Sequence, residues 1–339
     1  MKCLETSAGR ARRIKLSFYL LSFVLLFLVA GPSLAQEPTF RSQSNIVIVP
    51  ALVQDATGHV IYGLHAADFL IEDNGVAQAV QLDESADAEP ISLMVAIQTG
   101  RRAGREFGRV QGLSSMLAPI LDQPHTQIAV LTFDSQLKLA QDFTGDARQI
   151  ADCLHNLEAG DGGAAILDAV QYSVRLLNKE PEGTQKVLLL ISETRDHGSH
   201  FAKIDDVVTL IGNSNATVYT LAFSPTLSNI LDTERGNNAD EMTGVNLIDL
   251  LAHARAAMKS NSPKAIASQT GGEYELFESR KKFESRMIDF TNHLHNRYVL
   301  SFEPKNPQPG LHQIKVRLRE PGTATVLARS NYWVYDTAP

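Results

Sequence analysis

The sequence predicts an α/β domain with a mostly parallel, doubly wound sheet, inserted into a β-sandwich built from strands at both ends of the chain. Three observations predict this fold. From residue 91 to residue 223, continuous apolar runs alternate with segments of helical spacing, which is the pattern of a parallel sheet covered by helices on both faces. Residues 44–82 before this unit are rich in strand and turn signals. The strand pattern returns after Asn296.

The first 35 residues predict a signal peptide. Basic residues precede an apolar run from Leu16 to Ala30, and Ser33-Leu34-Ala35 forms a small-x-small cleavage site before Gln36. The run is short for a membrane span, so an uncleaved anchor is the alternative reading. Export by the general secretory route is therefore expected, to the periplasm, the cell envelope or the medium.

Charge and cysteine content exclude two classes of protein. The chain of 339 residues has a net charge of −7, and the signal segment holds five basic residues and one acidic one, so the mature part carries −11. Nucleic-acid binding is not expected, because phosphate contacts need clustered Lys and Arg. Cys153 is the single cysteine after the signal segment, which excludes an internal disulfide, and we expect its thiol to be buried in a helix over residues 147–157.

Residues 36–87 predict the N-terminal half of the sandwich. Asp73-Asn74-Gly75 is a strong hairpin signal within this segment. The predicted strands are residues 45–53, 59–62, 69–71 and 76–82.

Residues 88–296 predict the α/β domain, and residues 297–339 predict the C-terminal half of the sandwich. Strands without polar positions are buried on both faces, as in parallel sheets. A polar segment over residues 225–246 predicts a long loop. The predicted strands are residues 93–97, 128–133, 187–191, 218–223, 298–302, 312–319 and 326–334, and the predicted helices are residues 107–121, 167–177, 204–211, 247–259 and 283–295.

Several motifs, taken in their order along the chain, resemble the von Willebrand factor A-related proteins common in Acidobacteria. The resemblance spans roughly residues 40–335. The motifs that carry it are Asp55-x-x-Gly58, Glu72-Asp73-Asn74-Gly75, Thr132-Phe133-Asp134, Gly162-Gly163-Ala164-Ala165-Ile166-Leu167-Asp168-Ala169, Thr270-Gly271-Gly272, Tyr298-Val-Leu-Ser-Phe302 and Arg329-x-x-Tyr332.

The resemblance implies a metal-ion-dependent adhesion site whose ligand positions have changed in this chain. The family's first Asp falls on Gln98, its two Ser on Gly100 and Arg102, its loop Thr on Ala164 and its distal Asp on Glu193. Magnesium needs several oxygen ligands in tight octahedral geometry, and of these five side chains Glu193 alone offers an oxygen anion. We therefore expect a degenerate site that binds no metal and needs no cofactor.

A cluster of histidines gives the competing hypothesis, a metal-dependent hydrolase. His197 and His200 lie three residues apart in Asp196-His197-Gly198-Ser199-His200 and could bind zinc, with His293 and His295 as further ligands. The alternative is a polar loop that follows a parallel strand, and we favour it because the sequence has no His-Glu-x-x-His helix and no Gly-x-Ser-x-Gly turn.

The sequence thus predicts an exported, non-enzymatic module of the adhesion type that binds a protein or a surface polymer without a metal ion. Ligands approach open parallel sheets at the carboxyl ends of the strands, so the expected contacts are the loops there. Arg101 and Arg105, together with Arg102, could hold an acidic partner directly, or could belong to a solvated helix face. A structural envelope component without a specific ligand is the remaining alternative.

Overall fold

The computed structural model describes residues 46–83, 89–100, 108, 110, 112–223, 247–305, 307–320 and 322–335. These residues lie within one compact unit, Asn45–Pro339. No helix within these ranges is long and apolar enough to cross a membrane. The elements are β1 Val47–Gln54, β2 Phe69–Asp73, β3 Val76–Ala77, β4 Gln81–Asp83, β5 Ile91–Gln98, α1 Leu113–Leu121, β6 Gln127–Phe133, β7 Leu137–Thr144, α2 Ala147–His155, α3 Ile166–Leu177, β8 Gln185–Ser192, α4 Ile204–Asn213, β9 Thr217–Phe223, α5 Leu247–Ser260, α6 Ser262–Thr270, β10 Tyr274–Phe277, α7 Arg280–Leu294, β11 Tyr298–Phe302, β12 Gly310–Leu318, β13 Thr325–Ala328 and β14 Asn331–Val334.

A six-stranded, mostly parallel sheet forms the centre of the molecule, which confirms the predicted α/β class. Its strand order is β10-β9-β8-β5-β6-β7, and β7 alone among these strands pairs antiparallel, with β6. Every residue of β5 is buried, because helices cover both faces of the sheet. One face packs against α3, α4, α5 and α6 and the other against α1, α2 and α7, so each face has its own hydrophobic cluster. Cys153 of α2 is half-buried against the second cluster.

Two four-stranded sheets combine strands from before and after the α/β unit. Their orders are β13-β1-β11-β4 and β14-β12-β2-β3. One hydrophobic cluster contains side chains of both sheets, including Val49, Phe69, Leu300 and Ile314. The two ends of the chain therefore share one apolar core.

The hairpin predicted at Asp73-Asn74-Gly75 is confirmed. β2 pairs antiparallel with β3, and Asn74 and Gly75 have φ angles of 47° and 81°, the left-handed conformations of a type I′ turn. Two hydrogen bonds to Gln313 also hold Asn74 in place. The backbone N–H of Asn74 donates to the Gln313 carbonyl at 2.9 Å, and the backbone N–H of Gln313 donates to the Asn74 side-chain oxygen at 2.9 Å.

Three strand predictions were wrong. Residues 76–82 form two strands, β3 and β4, which belong to different sheets. Residues 59–62 form no strand and contribute a single bridge between Val60 and Gln54, because the Asp55 carboxylate accepts the backbone N–H groups of Thr57 and His59 and holds a turn. Residues 326–334 form two strands, β13 and β14, which belong to different sheets.

Arg329 lies at the turn between β13 and β14 and explains the break. Its buried guanidinium donates to the carbonyl oxygens of Asn331, Ile48 and Gly212 at 3.0, 3.2 and 2.9 Å. Desolvation lowers the pKa of Arg329 to about 10, so the group stays charged at neutral pH. The contact with Gly212 at the end of α4 ties the flanking strands to the α/β unit.

Candidate functional site

The carboxyl ends of β5, β6 and β8 meet at one edge of the parallel sheet, where the sequence places the degenerate metal site. The structure brings four of the five predicted positions to this edge, namely Gln98, Gly100, Ala164 and Glu193. Arg102, and with it Arg101 and Arg105, lies outside the described residues.

Gln98 and Glu193 are joined by two hydrogen bonds. The Gln98 amide Nε2 donates to Glu193 Oε1 at 3.1 Å, and the backbone N–H of Glu193 donates to Gln98 Oε1 at 2.8 Å. Both side chains are buried, so each hydrogen bond satisfies a group that water does not reach. An amide supplies a donor and an acceptor at once, whereas a carboxylate at position 98 would face the Glu193 carboxylate with acceptors alone.

Gly100 leaves no room for the serine that its position has in the metal-binding pattern. A Cβ atom added to Gly100 would lie 2.4 Å from the carbonyl oxygen of Gly163, a backbone atom of the following loop. Thr99 draws the same loop inward, since its carbonyl accepts the N–H of Gly160 at 2.6 Å. The close contact between the two loops therefore requires a glycine at position 100.

Asp161 shapes the loop that presses on Gly100. Its exposed carboxylate accepts the backbone N–H groups of Ser135 and Gly163 at 3.1 and 2.7 Å and also the hydroxyl of Ser135. The hydrogen bond from the Ser135 side chain, followed by that from the Gly163 backbone, lowers the pKa of Asp161. The Asp161 carboxylate therefore stabilises the conformation of the loop.

Asp168 in the first turn of α3 positions the loop after β8, a role that the sequence analysis did not assign to it. Its buried carboxylate accepts the backbone N–H groups of His200, Phe201 and Ala202 at 2.9, 3.1 and 2.5 Å. The loop stabilises the helix in return. Asp196 accepts the N–H of Leu167 and Ser199 accepts the N–H of Asp168, both at 3.0 Å, so two of the unpaired donors at the start of α3 are satisfied.

Phe201 stands at the end of this braced loop with 84% of its surface exposed. A large aromatic side chain on a fixed backbone loses little conformational freedom when a partner covers it, which favours binding. In the sequence the only signal was an aromatic residue in a polar loop after a buried strand.

The structure does not bring the four histidines of the hydrolase hypothesis together. His197 contacts Glu193 with Nε2 3.2 Å from Oε2, while His293 contacts Glu273 and His295 contacts Gln123. Across the described ranges, no group of three or more His, Cys, Asp or Glu side chains could hold a metal ion. Asp196 and Ser199 are both used in capping α3, and their mutual hydrogen bond of 2.5 Å involves no histidine ring.

The residues at this edge do not fit the ion that the metal-binding pattern implies. Gly100 and Ala164 have no side-chain oxygen, and the Gln98 oxygen is occupied by the Glu193 backbone. Glu193 is itself bound to Gln98 and His197. Octahedral magnesium has no set of oxygen ligands here among the described side chains.

Comparison with known proteins supports a von Willebrand factor A domain in the middle of the chain. Residues 100–196 match the family profile of the von Willebrand factor type A domain. This matched segment begins at Gly100 and ends at Asp196, and it contains the glycine loop and α3. No curated protein matches the sequence.

Solved structures match parts of the chain at low sequence identity. A von Willebrand factor type A protein from Catenulispora acidiphila is 8% identical with a TM-score of 0.44, over 88% of this chain and 76% of that one. Proximal thread matrix protein 1 from the mussel byssus, with a zinc-occupied metal site, is 15% identical with a TM-score of 0.44, over 66% of this chain and 50% of that one. BatB from Bacteroides thetaiotaomicron is 11% identical with a TM-score of 0.39, over 60% of this chain and 98% of that one. These TM-scores are low, so the fold assignment rests on the sheet order described above.

Proposed function

We propose that this protein is an exported, non-enzymatic interaction module that binds a protein or a surface polymer without a metal ion. The contact surface is the edge of the parallel sheet where β5, β6 and β8 end. The observation that carries the proposal is the mutual pairing of Gln98 and Glu193 beside the close Gly100–Gly163 contact. Together they replace an open coordination site with a closed, self-satisfied one.

The braced loop after β8 supplies the partner contact. Phe201 offers an exposed apolar surface, and the Asp168 carboxylate fixes the backbone beneath it. A preorganised aromatic group can serve as a binding anchor, because interface energy is concentrated in few residues and aromatics are enriched among them. Metal-free recognition then depends on apolar contact and on direct hydrogen bonds from the loops.

We further propose a role for the regions on either side of the α/β domain. Residues 1–35 act as the export signal, and the chain belongs to the Acidobacterial type of von Willebrand factor A-related protein with a degenerate adhesion site. The two flanking sheets form a β-sandwich into which the α/β domain is inserted. The shared hydrophobic cluster of β1, β2, β11 and β12 supports this arrangement.

The alternatives have less support. A metal-dependent hydrolase would use His197 and His200. The ring of His197 contacts the Glu193 carboxylate, and His200 donates its backbone N–H to Asp168. A structural envelope component without a specific ligand would leave Phe201 without a role.

A binding experiment tests the proposal on the intact chain. Envelope fractions of the native organism are passed over immobilised protein in buffer that contains magnesium and calcium, and the retained partner is purified. The partner is then titrated, with and without EDTA, against the wild type and Phe201→Ala. We expect partner binding that survives EDTA and weakens about tenfold or more in the variant, the loss typical of an aromatic hot spot. Tyr62→Ala is the matched control, since Tyr62 is an exposed aromatic residue outside this edge of the sheet.

Two outcomes would contradict the proposal. Binding that disappears in EDTA would return the site to metal chemistry. Binding that Phe201→Ala and Tyr62→Ala weaken equally would remove the loop after β8 from the interface.

A further inference from the structure

A cleft of about 1000 Å³ lies beside the edge strand β10, away from the carboxyl ends of β5, β6 and β8. Its walls come from α6 and α7, and its far side comes from β13 and Gln54 of β1. The cleft is therefore bordered by the terminal strands of two different sheets, β10 of the parallel sheet and β13 of a four-stranded one.

One edge of β10 pairs with β9, and the other edge borders this cleft. β9 is the neighbour of β10 in the sheet order, and no strand in the described ranges pairs with its other edge. The carbonyl of Glu273 accepts the N–H of Thr220 in β9 at 2.8 Å, which fixes the alternation along the strand. Because inward and outward groups alternate in a parallel pair, the N–H and C=O groups of Tyr274 and Leu276 point away from β9.

The two walls differ in chemistry. Glu275 lies on the side of α7, where Arg286 contacts its Oε2 at 2.9 Å and Asp289 at 3.5 Å. Tyr274 lies on the side of α6, where its hydroxyl accepts a 2.9 Å hydrogen bond from Asn261. An extended chain beside β10 would direct alternate side chains towards the α7 wall with its two carboxylates and towards the α6 wall, where Lys264, Ala267 and Ser268 line the cleft.

Negative charge exceeds positive charge along the α7 wall. Arg286 is shared by two carboxylates, Glu275 and Asp289, and the carboxylate of Glu273 faces His293. Burial raises the pKa of Glu275; Arg286 opposes this shift, and the neighbouring carboxylates of Glu273 and Asp289 add to it. A basic side chain placed in the cleft would complete this cluster.

We propose that this cleft binds an extended, basic peptide segment of a partner protein, which adds a strand to the open edge of β10 and directs a Lys or Arg side chain towards Asp289 and Glu275. Backbone hydrogen bonds to Tyr274 and Leu276 provide affinity, and the acidic wall provides selectivity. A folded sheet of a second copy of this chain does not fit the edge, because β10 has four residues and lies between α6 and α7.

The test uses a displayed library of random 12-residue peptides selected on the full-length protein. We expect enriched peptides to contain Lys or Arg, and Leu276→Pro to weaken them about tenfold or more, because proline removes an outward N–H that the sheet itself does not use. Asp289→Asn should weaken them less and reduce the effect of salt. Phe201→Ala, at the separate face proposed above, should leave them unchanged, so the two proposals succeed or fail independently.

N-methylation of single peptide amides keeps the test decisive if Leu276→Pro does not fold. We expect methylation to abolish binding at every second position, the period of a strand paired along one edge. A selection that enriches no peptide would overturn the proposal. So would enriched peptides without basic residues, peptides insensitive to Leu276→Pro in its folded form, or a methylation profile without alternation.

Discussion

Two buried acids each pair with a histidine, one at the edge of the parallel sheet and one inside the flanking strands. At the sheet edge, Glu193 contacts His197, whose side chain is 38% exposed. In the flanking strands, Asp73 contacts His312 at 2.8 Å, and this histidine is 4% exposed. Tyr332 donates to the other oxygen of Asp73 at 2.8 Å, so β2, β12 and β14 meet at this second cluster.

The two histidines differ in burial, and this difference gives the two acid–histidine pairs different roles. Both ring nitrogens of His312 face acceptors, the Asp73 carboxylate and the Gln308 carbonyl at 2.6 Å, so the charged imidazolium is the form that fits. The inner cluster therefore joins strands from both ends of the chain. The outer cluster lies at the edge of the parallel sheet, and its histidine remains within reach of water.

The largest expected effect is the loss of the inner cluster. His312→Leu leaves the Asp73 carboxylate buried without its cation and should lower the free energy of unfolding by about 3–5 kcal/mol. Denaturant unfolding measures the change. His59→Leu is the control, because His59 is an exposed histidine that pairs with an exposed Asp55, and its unfolding midpoint should not move. Equal midpoints for both variants would show that the inner cluster contributes nothing.

The next effect tests the closed state of the sheet edge. Gly100→Ser places a Cβ within 2.4 Å of the Gly163 carbonyl and should lower the free energy of unfolding by about 1–3 kcal/mol, the usual cost of overpacking. Gly162→Ser is the matched control in the adjoining loop, where an added Cβ meets nothing within 4 Å. If Gly100→Ser is as stable as Gly162→Ser, the edge has room for a serine ligand and is not closed.

The inner cluster should also make stability depend on pH. Burial, the largest influence, lowers the pKa of His312, but the hydrogen bonds to Asp73 and Gln308 outweigh it and the pKa ends above its usual value. The resulting stabilisation is complete below the unfolded-state pKa of about 6.5 and is lost as pH rises through the folded-state pKa. Unfolding measured from pH 6 upwards should show this decline, and His312→Gln should flatten it. A wild-type curve that rises across this range would contradict the assignment.

The smallest effect is expected at the outer cluster. His197→Gln should change the free energy of unfolding by about 1 kcal/mol or less, because solvent screens a histidine that is 38% exposed. A loss comparable to that of His312→Leu would mean that the two clusters have the same structural role.

The sequence predicted four of the six strands of the central sheet, because the signals of β5, β6, β8 and β9 are local. β5, β8 and β9 are continuous apolar runs, and the Asn74-Gly75 turn has a specific conformational requirement. β7, β10 and α6 were not predicted. β7 is an edge strand with no fully buried residue, and β10 has four residues with polar positions among them. α6 begins at Ser262, directly after α5, so none of the three has a distinct periodicity.

The sequence predicted which residues lie at the candidate site, but it did not predict the hydrogen bonds between them. The sequence identified Gln98 and Glu193 as changed ligand positions, but these residues are separated by 95 positions and their pairing depends on how two strands lie in register. Asp168 was noted only as part of a motif. Its role requires the loop after β8 to fold back over the start of α3, which no local pattern shows.

Thermal unfolding with and without divalent metal tests the central claim most directly. The full-length protein is unfolded in EDTA and in millimolar magnesium, calcium or manganese, alongside Glu193→Ala. We predict equal stability of the wild type in all conditions. The Glu193 carboxylate already accepts a hydrogen bond from Gln98, and the position of Gly100 has no room for a serine ligand. A specific ion at a hundredfold excess over its Kd would stabilise the fold by about 2.7 kcal/mol. A shift of that size in the wild type that is absent in Glu193→Ala would contradict the account.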